Sequence, residues 1–176
     1  MVRKVVVIGP ESTGKSYLCE KLAEQFGTAW VPEYAREYLL KHGTRYSLQD
    51  LLVIAKGQLE LEEKMVASAK NGIIFIDTNM YVMKVWCEYV FNACHEWILK
   101  RIVERHYDLY LLCNTDLPWV RDELREYPDL KARLELFHIY KDNMANQNTS
   151  WVEIKGEREH RLNMATEAVK SLHLST

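Results

Sequence analysis

Eight residues near the start of the chain, Gly9-Pro10-Glu11-Ser12-Thr13-Gly14-Lys15-Ser16, have the types and spacing of a phosphate-gripping loop. The two glycines let backbone N–H groups wrap a polyphosphate. Lys15 is placed to reach the β- and γ-phosphates, and the Ser16 hydroxyl to hold Mg²⁺. Asp77 directly follows the apolar run Ile73-Ile74-Phe75-Ile76. A carboxylate there holds Mg²⁺ directly or through water, the plainer alternative being a strand-end or helix-capping aspartate. Glu33 and Arg36 lie in Pro32-Glu33-Tyr34-Ala35-Arg36-Glu37. Glu33 is either a base for an attacking hydroxyl or a first-turn carboxylate that complements a helix dipole. Arg36, one turn on, steadies a phosphate or a substrate hydroxyl, or forms a surface ion pair. Arg121 and Arg125 are four residues apart and would share one helix face. They either neutralise charge on a transferring phosphoryl group or belong to a solvated face with Asp122, Glu123 and Glu126. Trp86 and Trp119 are candidate stacking surfaces for a flat ring, with a core role as the alternative for Trp86.

These residues need a scaffold that brings them to one edge, and the sequence supplies it. Lys4–Ile8 is a short β-branched run, and Ser16–Phe26 carries Leu18, Leu22 and Phe26 on one helical face. The loop therefore sits between a strand and a helix N-terminus, where the dipole favours negative charge. Thr28–Pro32 reads as a second strand and Glu33–Leu40 as a helix. Ser47 caps a long helix from Leu48 to about Lys70, closed by Asn71-Gly72. Ile73–Ile76 is a third strand, Met80–Phe91 and His95–Arg105 are helices, and Asp108–Cys113 is a fourth strand. Asn114–Tyr127 is polar and charged and reads as a lid. Pro128 to about Asn146 is helical, Trp151–Ile154 is a fifth strand, and Glu157–Leu172 a last helix. Strands separated by helices give an α/β fold, a five-stranded parallel sheet with helices on both faces. Ligands in such sheets bind at the carboxyl ends of the strands, where the polar residues above converge.

At 176 residues the chain is expected to form one domain spanning 1–176. With 48% hydrophobic and 27% charged residues it is globular rather than disordered. A net charge of −2 with dispersed basic residues gives no argument for nucleic acid. Cys19, Cys87, Cys94 and Cys113 form no C-x-x-C pair and have no zinc spacing, so free thiols in a reducing cytosol are expected. No apolar run approaches 18 residues, so no membrane is expected, and the first strand begins almost at Met1 with no signal peptide before it. A cytoplasmic location follows. The six histidines, His173 included, show no ligand spacing.

Further motifs extend the pattern. They are Leu18–Ala23, Val31–Leu39 (VPEYAREYL), Lys56–Leu59, Lys84-Val85-Trp86, Tyr107–Leu112, Asp116–Asp122 (DLPWVRD) and Gly156–Glu159. Together, from residue 4 to about 165, they resemble the NadR-type ribosylnicotinamide kinase domain. The long PEYAR and DLPWVRD runs make the resemblance more specific than the phosphate loop alone. It implies a P-loop NTPase fold similar to nucleoside and nucleotide kinases, with the third strand beside the loop-bearing one. The implied reaction moves the ATP γ-phosphate to the 5′-hydroxyl of nicotinamide riboside, giving nicotinamide mononucleotide in NAD salvage. Gly9, Glu11, Ser12, Thr13, Gly14, Lys15, Ser16 and Tyr17 would then line the ATP site, with Arg158 on adenine. Tyr17 stands where many such loops carry a second hydroxyl residue, so only its backbone N–H counts. Ser16 and Asp77 would hold Mg²⁺ and Glu33 would act as base, the alternative base being Asp77. Arg121 and Arg125 would close over the phosphates. Tyr34, Trp86 or Trp119 would stack on the cationic nicotinamide, gaining a cation–π contribution of ~0.5–2 kcal/mol, and Arg36 would join the acceptor site. The resemblance carries over neither DNA binding nor adenylyl transfer, because the matching segments for them are not in this sequence. Two other readings fit the same machinery: a kinase for another nucleoside or deoxynucleoside, and an ATPase or switch that works through a partner.

Overall fold

A computed structural model describes residues 2–172; His173 lies outside them. Its central strand is β1 (Arg3–Ile8), flanked by β3 (Ile73–Asp77) on one side and β4 (Leu109–Cys113) on the other. β2 (Trp30–Val31) and β5 (Trp151–Ile154) form the edges, so the order is β2-β3-β1-β4-β5 with every pairing parallel. Val5 registers with Phe75 and with Leu109, and Val7 with Asp77 and Leu111. The chain leaves β1 towards one edge and later returns to the other. The crevice at the carboxyl end of β1 is therefore the switch point where ligands of such sheets bind.

Period-two alternation in β1 splits the core in two. Val5 and Val7 pack with α1 (Lys15–Phe26) through Leu18 and Leu22, and with α7 (Arg158–Ser171) through Ala165 and Val169. Val6 and Ile8 face the other way, against α4 (Met80–Phe91) through Val82 and Val85 and α6 (Leu130–Ala145) through Leu136 and Phe137. Helices thus cover both faces, as the alternating strands and helices require. A third apolar cluster joins α2 (Tyr34–His42), α3 (Leu48–Val66), α4 and α5 (Glu96–Glu104) around Leu51, Ile54, Met83 and Ile98.

The spans of α4 and β5 match the sequence reading, and four differences have local causes. β2 starts at Trp30 because Thr28 spends its hydroxyl, not its backbone, on the Ile73 carbonyl (2.7 Å). α3 ends at Val66, before Lys70: Ser68 and Ala69 donate to Met65 and Val66 in tight turns, and Asn71 and Gly72 take left-handed φ of 54° and 69°. α6 begins at Leu130, since the Asp129 carboxylate accepts from the Ala132 N–H. The fourth bears on the site. Residues 117–129 form no helix, so Arg121 and Arg125 do not share a helix face. Asp122 instead closes a turn, its carboxylate accepting from the Leu124 N–H (3.1 Å) and its carbonyl from Arg125 (3.2 Å).

Candidate active site

The loop after β1 is held by its own backbone and by two distant arginines. Gly9 runs at φ 139°, and a Cβ there would stand 2.7 Å from the Cys113 carbonyl of β4, so no other residue fits. Gly14, in left-handed backbone, caps α1. Thr13 donates its hydroxyl to the Pro10 carbonyl (2.7 Å), and Lys15 donates to the same oxygen (3.0 Å). The Thr13 carbonyl accepts from Arg161 (2.9 Å) and the Ser12 carbonyl from Arg133 (3.4 Å).

A cleft of about 540 Å³ opens over this loop. One end is lined by Gly9, Ser12, Thr13, Gly14, Lys15, Ser16 and Tyr17, with Arg158 stacked on the Tyr17 ring at 5.1 Å. The other is an apolar lobe of Val82, Val85, Trp86, Tyr89 and Tyr140. Glu33 and Arg36 also line the cleft, and the Glu33 carboxylate is near enough to Lys15, Asp77 and Tyr140 to interact electrostatically with each.

The Ser16 hydroxyl donates to the Asp77 carboxylate at 2.5 Å, so the two groups expected to share a cation converge. Asp77 is fully buried and reaches the cleft through Ser16; its other oxygen accepts from the Thr78 hydroxyl (3.4 Å). Burial pushes its carboxyl above the usual carboxylate range, opposed by the Lys15 ammonium and the two hydroxyl bonds. Burial likewise pushes the Glu33 carboxyl up. The Asp77 charge adds to this, and Lys15 and Arg36 oppose it. A carboxyl group with raised affinity for protons, lining a cleft beside such a loop, is chemically suited to take a proton from a hydroxyl. The Tyr140 hydroxyl is also pushed up, by burial first and then by Glu33.

Other expected residues are placed differently. The Glu11 carboxylate faces the 114–127 segment, accepting from the Trp119 indole (3.2 Å) and from the Glu126 and Tyr127 N–H groups (2.9 and 2.6 Å). Trp119 is thereby pinned outside the set of cleft-lining residues, and only Trp86 of the two tryptophans lines the cleft. Tyr34 packs its ring against Gly57 of α3, away from the lining. Arg36 pairs with Asp122 (3.1 Å), so the ion-pair alternative is realised, at the cleft rim. Arg125 lines the cleft and donates to the Val120 carbonyl. Arg121 is exposed and does not line it.

Three of the buried polar residues outside the sequence reading hold the loops around the site. Arg161 holds the carbonyls of Thr13, Asn114 and Gly156 and pairs with Asp116. Arg133 holds those of Ser12 and Leu117. Gln58 bonds to Pro32, Tyr34 and Asp77. Each stands on a mostly apolar stripe that its helix turns to the core, and that was the available signal.

Comparison with known proteins follows this geometry. A family model described as an AAA domain matches residues 4–161. The trifunctional NAD biosynthesis/regulator protein NadR of Escherichia coli (strain K12) is 32% identical over 160 residues, covering 89% of this chain and 39% of that protein. A crystal structure of NadR protein in complex with NR superimposes with a TM-score of 0.83 at 25% identity, over 97% of this chain and 49% of that one. Thymidylate kinase from Candida albicans shares the fold, with a TM-score of 0.68 at 15% identity, over 97% of this chain and 92% of that one. The chain thus spans less than half the length of the NadR proteins it matches.

Proposed function

This chain belongs to the AAA-domain family, and on that premise we propose that it transfers the γ-phosphoryl group of Mg-ATP to the 5′-hydroxyl of nicotinamide riboside. The observation that carries the reading is the place of Glu33. Its carboxylate lines the same cleft as the phosphate loop and the aromatic lobe and interacts with Lys15 and with Tyr140, with its affinity for protons raised. The likeness to NadR, one of whose structures holds NR, supports the choice of acceptor.

In this reading the backbone N–H groups of residues 9–16 and the Lys15 ammonium cradle the phosphates. Lys15 swings from the Pro10 carbonyl to the β- and γ-oxygens. Trp86, with Tyr89 and Tyr140 beside it, takes the cationic ring, and Arg36 with Asp122 borders the ribose. Glu33 orients the 5′-hydroxyl and accepts its proton as the bond to phosphorus forms. Arg125 neutralises charge on the phosphoryl group. Tyr17 and Arg158 form a platform for adenine. Ser16 and Asp77 fit a Mg²⁺ ion: a hydroxyl and a buried carboxylate already meet at 2.5 Å. Among the described residues no group of three or more His, Cys, Asp or Glu surrounds a metal. Phosphate oxygens and water would therefore complete the shell, as is usual for this ion. When bound, the ion would offset the negative charge of the transferring phosphates. We take residues 1–176 as one kinase unit, with 114–127 as a lid latched by Glu11 and Ser12. The four free thiols suit the reducing cytosol, and no helix among the described residues is long and apolar enough to cross a membrane.

The test is ADP release from Mg-ATP with nicotinamide riboside, uridine, cytidine, adenosine or thymidine, with product mass read by spectrometry. Stimulation by nicotinamide riboside alone, with mononucleotide formed, is expected. Stimulation by another nucleoside alone overturns the acceptor and leaves a kinase. No stimulation by any acceptor, with ATP still bound, overturns the kinase in favour of a switch.

A further inference from the structure

Glu33 occupies the N-cap position of α2, yet its side chain makes no capping bond. An N-cap carboxylate ordinarily spends an oxygen on the free N–H groups of the first turn, and that would compromise it as a base. The groups such a cap serves are the Ala35 and Arg36 N–H groups, which Glu33 leaves alone; the Tyr34 N–H before them, beyond the reach of a cap side chain, is held by a different helix. Gln58, on the buried stripe of α3 and 1% exposed, accepts from the Tyr34 N–H at 2.7 Å through its amide oxygen. Its amide nitrogen donates to the Pro32 carbonyl and to the Asp77 carbonyl, both at 3.3 Å. The partners fix the orientation of the amide, since an N–H needs the oxygen and two carbonyls need the NH₂. One side chain therefore grips the residues on both sides of Glu33 and ties them to the end of β3. The neighbouring residue supports the grip: a Cβ at Gly57 would fall 2.1 Å from the Tyr34 ring, so glycine lets Tyr34 seat against α3.

We propose that Gln58 is a positioning residue that holds the Glu33 carboxylate in register with Asp77 for the acceptor hydroxyl. The proposal rests on the reading of Glu33 as the base. Gln58 does not line the cleft; it acts through the backbone on either side of Glu33. A displacement of about 1 Å at such a group costs on the order of 10²-fold in rate. The competing account is a buried amide that only closes the core between α3 and the sheet, and the two differ in how the losses combine.

The experiment is a double-mutant cycle with Gln58→Met, which keeps length and shape, and Glu33→Gln. Steady-state transfer from Mg-ATP to nicotinamide riboside is measured, with folding checked by circular dichroism. Gln58→Met is expected to lower kcat about 10- to 100-fold with KM for ATP within about threefold. In the Glu33→Gln background it should lower kcat by less than about threefold, because the group it positions is gone. Equal fold-losses in both backgrounds, or a raised KM for ATP with kcat unchanged, overturn the positioning role and leave Glu33 as base. A Glu33→Gln variant that keeps wild-type kcat overturns the base reading and this proposal with it. If Gln58→Met does not fold, Gln58→Glu, which keeps the acceptor for Tyr34 and loses the donors, is run through the same cycle with the same outcomes.

Discussion

Replacing Arg161 by methionine should cost about 3–5 kcal/mol of stability and weaken the grip on nucleotide. Arg161 is 3% exposed and donates to Gly156 (2.7 Å), Thr13 (2.9 Å) and Asn114 (2.8 Å). Hydrogen bonds from a charged donor contribute roughly 1.5–3 kcal/mol each, and a buried carbonyl left without a partner forfeits about 1–3 kcal/mol. The Thr13 carbonyl is buried and bears the full loss. Those of Asn114 and Gly156 are half-buried, so water recovers part of theirs. The Asp116 side chain is 38% exposed, and its ion pair adds about 0–1 kcal/mol after solvent screening. For a chain of this size each kcal/mol lowers Tm by roughly 2–4 °C, so the midpoint should fall by about 6–20 °C. Because Thr13 belongs to the phosphate loop, ATP should also protect the variant less than it protects the wild type. The assay is thermal unfolding at zero and saturating Mg-ATP, with Val169→Ala, a truncation in the core of α7, as the control. A midpoint shift under 2 °C refutes the stability reasoning. Equal loss of ATP protection in Val169→Ala refutes the specific link to the loop.

The lid should respond unevenly: Arg125→Ala, at a residue lining the cleft, should lower kcat about 10²-fold, on the scale of losing one transition-state donor, whereas Arg121→Ala, exposed and off the cleft, should stay within threefold. Equal losses in steady-state kinetics would show that both reach the phosphates. The raised proton affinity of Glu33 sets a pH dependence. Transfer requires the ionised base, so kcat should rise as pH climbs through a midpoint above the ordinary 4.5, and Glu33→Gln should remove that limb with about 10²–10⁴-fold of rate. Stability runs the other way. A carboxyl that binds its proton more tightly folded than unfolded contributes stability that is full below its unfolded pKa and lost as pH rises through the folded one. At pH 8 Glu33→Gln should therefore melt above the wild type, and a lower Tm would show that the ionised carboxylate is stabilised rather than tolerated.

Much of the site was legible because its signals are local. The loop motif, the apolar run ending in Asp77 and the Pro32-Glu33 turn each announce a strand end within a few residues, and parallel topology brings strand ends together. The helix expected under Arg121 and Arg125 is where local reasoning fails. Two arginines four apart form a face only in a helix. Here, although Val120, Leu124 and Tyr127 have helical spacing, the N–H groups of residues 120, 124, 126 and 127 are spent on the Ser12, Asp122 and Glu11 side chains instead of a helical ladder. The segment's shape comes from elsewhere, from Glu11 more than 100 residues away in sequence. The Glu11 carboxylate accordingly accepts from the Trp119 indole while Glu11 still lines the cleft, and Trp119 does not line it. The Arg161 bond to Thr13 spans 148 residues, a separation that no local pattern encodes.

What a local pattern does encode is the exception within a stripe. Arg161 precedes Ala165 and Val169 at helical spacing, Arg133 precedes Phe137, Tyr140 and Met144, and Gln58 follows Leu51, Ile54 and Ala55; all are buried. A polar group at a core position must find its partners inside, and these three find theirs on the loops after the strands, although the Arg133 Nε itself has none. Gln58 serves the ends of β2 and β3, Arg133 those of β1 and β4, and Arg161 those of β1, β4 and β5. Both arginines bond backbone carbonyls in these loops. A loop that grips phosphate cannot bury its N–H groups in a core, because they must face the anion. Pinning the Ser12 and Thr13 carbonyls from behind fixes those peptides while leaving their donors unspent, so the dipoles are oriented before the ligand arrives. The cost of three buried polar side chains is thus tied to the function of the rim they support, and apolar replacements of the same size would be expected to loosen the loops even where the helices still pack.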